Sequence, residues 1–177
     1  MKTTISGACW LCGDNVTVYD IIPEARWTMK TLDGEAMGNW VFETVEPGCR
    51  DVPGGFKKQG FRIVIAGDNF GCGAKSVEHP MAALKGAGVE LIIAQSVSRY
   101  SYRNAINLAL PILICPDAPE LFHRGDQIEA DCATGEIRNL TTGRTVQAAG
   151  LGDFAIQIIG AGGLIKLIEK ELNRNGK

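Results

Sequence analysis

The stretch FRIVIAGDNFGCGAKSVEHPMAALKGAGVELIIAQS, Phe61 to Ser96, decides the fold. Its two ends, FRIVIAG and VELIIAQS, are short runs rich in β-branched residues, of the kind that form strands buried on both faces. Between them, SVEHPMAALKGAG predicts a short helix starting near Ser76, with Pro80 tolerated because it falls in the first turn. A strand, a helix and a strand imply a crossover, and such crossovers join parallel strands. Further on, SRYSYRNAINLA (98–109) predicts a second helix and LPILIC (110–115) a third strand. The alternation predicts an α/β fold with a mostly parallel central sheet.

The flanks differ in character. DQIEADCATGEIRNLTTGRTVQAAGL (126–151) alternates and carries turn signals at Thr134-Gly135 and Thr142-Gly143, so a β-hairpin region is expected. AGGLIKLIEKELNRNGK closes as an amphipathic helix with Leu164, Ile165, Leu167, Ile168 and Leu172 apolar, and cationic residues toward its end suit the helix dipole. GACWLCGDNVTVYDIIP (7–23) opens with short apolar stretches and a turn at Gly13-Asp14-Asn15. From Glu24 to Gly60 the chain is irregular, and only NWVFETV (39–45) looks like a short strand or helix. A patternless stretch of that length is more often functional than idle.

The chain has 177 residues, 45% of them hydrophobic and 21% charged, with a net charge of -2. One domain over 1–177, able to bury its own core, is the expectation. The near-neutral balance leaves no electrostatic footprint for nucleic acid or an anionic membrane, so neither is expected as a partner. No apolar run approaches a membrane span, and no signal-peptide core follows Lys2. The six cysteines are irregularly spaced, which predicts free thiols and a cytoplasmic protein.

The loop GDNFGCGAKSVEHP (67–80) admits several readings. Gly71-x-Gly73-x-x-Ser76 approaches a dinucleotide fingerprint, but its third glycine is a serine and Glu90 comes too early for the ribose-binding acid. GCGAKS approaches a P-loop, with the Gly-Lys-Ser order broken by Ala74. Cys9-x-x-Cys12 is a lone pair and His79 and His123 have no ligating company, so no metal is assigned. A tight turn capped by Ser76 accounts for the glycines but not for Lys75 or the Glu78-His79 pair. Amide groups at such a helix start favour an anion, and a carboxylate serves as well as a phosphate.

The stretch from Val64 to Cys115 resembles the small subunit of 3-isopropylmalate dehydratase and its relatives, the swivelling β/β/α domain of the aconitase superfamily. Asn69, Phe70, Gly71, Cys72, Gly73, Glu78, His79, Ser96, Arg99, Arg103, Asn104, Asn107, Leu110 and Pro111 fall on that family's pattern. GDNVTVYDIIP resembles its opening segment and AGGLI its closing helix, so the likeness spans nearly the whole chain. Two departures stand out. Ala74-Lys75-Ser76-Val77 replaces a Ser-Ser-Arg, one residue longer and without the arginine, and Val18-Tyr19 replaces a Thr-Asp.

The resemblance implies dehydration and rehydration of a hydroxy di- or tricarboxylic acid. It implies a [4Fe-4S] cluster on a separate large subunit, with this chain inactive alone and binding no cofactor itself. The base role falls to Ser76 with Lys75 in place of the missing arginine, or to Lys75 itself. Substrate binding falls to Arg26, Thr28, Lys30, Gly73, Ala74, His79 and Arg99, with Trp27 and Met29 as apolar lining. Arg99 and Arg103 share a helix face and either bind carboxylate or pair within the domain. The acid stays open among isopropylmalate, homoaconitate, citrate-like acids and methylated malates, as does self-association of the isolated chain. Two rivals remain: a divergent, non-catalytic binding or regulatory module of the same fold, and a nucleotide-binding α/β domain.

Overall fold

The computed structural model describes residues 3–28, 30–73 and 77–175. Within them, β1 (Thr4–Leu11), β2 (Ile63–Ala66), β3 (Leu91–Ala94), β4 (Ile112–Ile114), β5 (Gln127–Asp131), β6 (Glu136–Asn139) and β7 (Thr145–Gln147) form one sheet. Their order is β4-β3-β2-β1-β5-β6-β7. The first four are parallel and the last three antiparallel, as the two kinds of sequence pattern require. Strand β1 is the seam: Thr4 to Ala8 pair antiparallel with β5, and Cys9 to Leu11 pair parallel with β2.

The alternation of the parallel strands creates two cores. Val64, Ala66, Ile92, Ala94 and Ile112 point into one, and Ile63, Ile65, Leu91, Ile93 and Leu113 into the other. Both sets are buried because helices or loops cover each face of a crossover sheet. The helices are α1 (Val18–Ile21), α2 (Gly34–Gly38), α3 (His79–Gly86), α4 (Arg99–Asn107), α5 (Ala118–Leu121), α6 (Asp153–Ala161) and α7 (Leu164–Asn175). The helix α3 begins at His79, later than expected, with Glu78 at its N-cap and Pro80 in the first turn. In α7 only Leu164 and Leu167 join the second core, while Ile165, Ile168 and Leu172 face solvent.

The irregular segment is not a loose excursion. NWVFETV is a run of turns rather than a strand or helix. Phe42 takes a left-handed φ of 55° and its amide donates to the Ile21 carbonyl at 2.8 Å. Its ring stacks on Trp10 of β1 at 4.1 Å, and Phe56 meets the same indole edge-on at 5.3 Å.

Beneath this cluster lies Glu46, only 6% exposed. Its Oε2 accepts from Trp10 Nε1 at 2.7 Å and from Arg124 Nη1 at 3.0 Å, while Oε1 accepts from Arg124 Nη2 at 2.5 Å. The Arg124 hydrogen bonds hold this carboxyl below the usual glutamate range. A depressed pKa contributes stability that is present above the unfolded value and lost as the pH falls through the folded one. Glu46→Gln should therefore lower unfolding free energy by about 2 kcal/mol at neutral pH, because a buried donor pair loses its charged acceptor. In urea titrations the gap from wild type should narrow as the pH drops below the ordinary carboxylate range. A gap that stays constant with pH would refute the assignment.

Candidate active site

The carboxyl ends of β1, β2 and β3 bring three loops together. This is the edge at which open α/β sheets bind ligands. Asn15 donates its amide to the Asp68 carbonyl at 2.8 Å, and the Asp68 amide donates to Asp14 Oδ1 at 2.8 Å. Asn69 donates its amide to Ser96 Oγ at 2.8 Å, and that hydroxyl in turn donates to Asp68 Oδ1. The opening segment closes a capping box at α1, where Thr17 and Asp20 satisfy each other's amides.

Gly71 is the hub of the loop. Its amide donates to the Val16 carbonyl at 2.8 Å. Its carbonyl accepts from Ser98 Oγ at 2.7 Å and from Ser101 Oγ at 2.6 Å. The loop is thus pinned between the opening segment and the first turn of α4, whose N-cap is Ser98. On its far side, Asn104 Nδ2 donates to the Val77 carbonyl at 2.8 Å. Sequence reading placed Asn104 on the family pattern without a role and did not single out Ser98 or Ser101. The Ser98-x-x-Ser101 capping spacing was the signal available.

Helix α3 is seated against α2 by glycines. A Cβ on Gly86 would lie 1.7 Å from the Gly34 carbonyl oxygen, so only glycine allows this approach. The start of α3 lies opposite Thr28 and residues 30–32. Between them is a cleft of about 360 Å³ lined by Thr28, Lys30, Thr31, Leu32, Val77, Glu78 and His79. Three of the expected substrate-binding residues, Thr28, Lys30 and His79, therefore meet in one place. The Thr28 hydroxyl donates to the Thr31 carbonyl at 2.5 Å and accepts from the Asp33 amide at 3.1 Å, which folds this wall back on itself. Within the described residues, the buried Nδ1 of His79 has no hydrogen-bond partner.

The other expected residues lie elsewhere. Arg26 makes a bidentate pair with Glu43 at 2.9 and 3.1 Å and reaches Asp51 at 2.8 Å. Its guanidinium also lies 3.7 Å over the Trp40 ring, so its charge is engaged within the domain. Gly73, exposed at φ 94°, ends the described part of the loop. Arg99 is exposed at the start of α4, and among the described residues neither it nor Arg103 forms an ion pair. Ala74, Lys75, Ser76 and Met29 lie outside the described residues.

No three His, Cys, Asp or Glu side chains converge on a cation site among the described residues. Burial pushes the thiols of Cys9, Cys12 and Cys132 up to about 11, about 12 and about 12. No helix among the described residues is long and apolar enough to cross a membrane.

The site is thus a glycine-pinned loop on the carboxyl edge of a mixed sheet, beside a cleft with polar and apolar walls. Residues 40–116 match the family described as aconitase C-terminal domain. The 3-isopropylmalate dehydratase small subunit 1 of Methanopyrus kandleri is 39% identical over 97% of this chain and 96% of its own. The isopropylmalate/citramalate isomerase small subunit of Methanocaldococcus jannaschii is also 39% identical, over 97% of this chain and 98% of its own. A crystal structure of 3-isopropylmalate dehydratase from the latter organism superposes with a TM-score of 0.82 at 28% identity, covering 98% of each chain. The chain belongs to the family of 3-isopropylmalate dehydratase small subunits.

Proposed function

We propose that this chain is the small subunit of a hydro-lyase that isomerises a hydroxy dicarboxylic acid of the isopropylmalate type, and that it acts only with a large subunit. The observation that carries this reading is the meeting of Thr28, Lys30 and His79 in one cleft directly after the Gly71-pinned loop. The relatives' names agree with it: each is the small subunit of such a dehydratase or isomerase.

The hydrogen α to a carboxylate is weakly acidic, so its removal needs a positioned base and help for the departing hydroxide. An iron–sulfur cluster on the large subunit would supply the Lewis acid that takes up that hydroxide. The relatives are named small subunits, and we assign the cluster residues to the large-subunit partner. This chain's share is the base and a carboxylate clamp. Ser76 takes the proton, with Lys75 beside it as the positive charge that makes an alkoxide attainable. Lys30 and Thr28 meet a carboxylate or hydroxyl from one wall and His79 from the other, and we assign Gly73 and Ala74 to the same ligand. Arg99, unpaired among the described residues, remains available to a second carboxylate. Leu32 and Val77 give the same cleft an apolar side, suited to an alkyl substituent.

The test is co-purification with a large subunit carrying three cluster cysteines, anaerobic reconstitution, and a panel of 2-hydroxy diacids and their unsaturated products. Turnover of an alkyl-substituted malate by the pair, and none by this chain alone, is expected. A pair that forms but turns over nothing would favour a non-catalytic module, the reading to which the missing motif arginine lends weight. Turnover confined to tricarboxylates would move the substrate to the homoaconitate class.

A further inference from the structure

We infer that Trp27 is a positioning residue that acts through His79, a role resting on the reading that the cleft holds the substrate. Trp27 stacks against Tyr19 of α1, with centroids 5.9 Å apart and planes 8° from parallel. It stacks equally against His79, the first residue of α3, at 5.1 Å and 11°. The indole itself is fixed, because Nε1 donates to the Ile22 carbonyl at 3.1 Å. The preceding residue is fixed as well, since Arg26 is held by Glu43, Asp51 and Trp40. Trp27 therefore sits on a rigid base and offers His79 a flat surface.

That surface matters because the buried Nδ1 of the imidazole has no hydrogen bond among the described residues to orient the ring. An active-site histidine is ordinarily held by a hydrogen bond from its second nitrogen, which sets both ring plane and tautomer. Here the buried Nδ1 has no such partner among the described residues, and the ring lines the cleft. Stacking substitutes for the missing bond. With Nδ1 buried, Nε2 is the nitrogen that a carboxylate or hydroxyl in the cleft meets, and the indole fixes its direction. Thr28 and Lys30 follow Trp27 in the chain, so the same ring sets the distance between the two walls.

The chain has only two histidines, and His123 has an 83% exposed side chain, so their imidazole proton resonances are separable. In the full-length chain the His79 resonance should lie upfield of the His123 resonance, shifted by the indole ring current. Trp27→Leu should move it to the exposed position, while Trp27→Phe should keep most of the shift. In the reconstituted pair, Trp27→Leu should raise KM about tenfold with kcat within about twofold, and Trp27→Phe should restore KM to within about twofold. A His79 resonance indifferent to Trp27→Leu, or an unchanged KM, overturns the inference. If the pair turns over no acid, the functional reading falls and the resonance alone decides: a shift lost in Trp27→Leu supports the positioning role, and an unmoved one ends it.

Discussion

Alanine at position 71 is expected to destabilise the protein by about 3–5 kcal/mol and to abolish turnover by the reconstituted pair. Two independent effects add. Gly71 has φ of 71°, a left-handed conformation in which a Cβ costs about 1–2 kcal/mol. That Cβ would also lie 2.5 Å from Ser101 Oγ and 2.6 Å from Ser101 Cβ. Ser101 is buried at 3% exposure, so it cannot swing away without losing its bond to the Gly71 carbonyl. Displacing it loosens the joint that ties the loop to α4. Urea unfolding of Gly71→Ala measures the total. The double variant Gly71→Ala/Ser101→Gly, which removes the clash but keeps the strained φ, should recover about half. A single variant with wild-type stability would show that the loop is not held as described.

The second large effect is chemical. Ser76→Ala should lower kcat roughly 10³-fold with little change in stability, the loss typical of a removed general base. Lys75→Ala should raise KM, and Lys75→Arg should restore it, because a guanidinium also holds a carboxylate. The alternative, with Lys75 as the base, predicts the reverse. Ser76→Ala would then keep turnover within a few fold, and Lys75→Arg would be as inactive as Lys75→Ala, since arginine does not give up its proton in proteins. Single-turnover measurements on the three variants, each checked for pairing with the large subunit, separate the two assignments.

The parallel half of the sheet was legible in the sequence because its strands are buried on both faces. Burial of that kind leaves unbroken apolar runs such as Ile63 to Ala66 and Leu91 to Ala94, which no helix period explains. The hairpin half was legible from alternation and from glycines at the turns. The motif residues from Asn69 to Gly73 and at Glu78 and His79 carried the resemblance to the family to which the chain belongs. The segment from Glu24 to Gly60 was not legible in the same way. Its turns have no period, and Phe42 in a left-handed conformation follows no local preference.

What the chain determined by itself, then, is a mixed α/β fold with a glycine-rich loop at the carboxyl edge of its parallel strands. What only the tertiary structure decided is the company each side chain keeps. Arg26 read as a carboxylate ligand from sequence, yet Glu43 and Asp51, 17 and 25 residues away, hold its charge. Glu46 carried no signal, yet it meets Arg124 across 78 residues. Trp27 and His79 are far apart in the chain, yet their rings stack with centroids 5.1 Å apart. The physical reason is the same in each case. Periodicity and capping are local and leave a mark on neighbouring residues, whereas ion pairs and ring stacks depend on distances set by the whole packed chain.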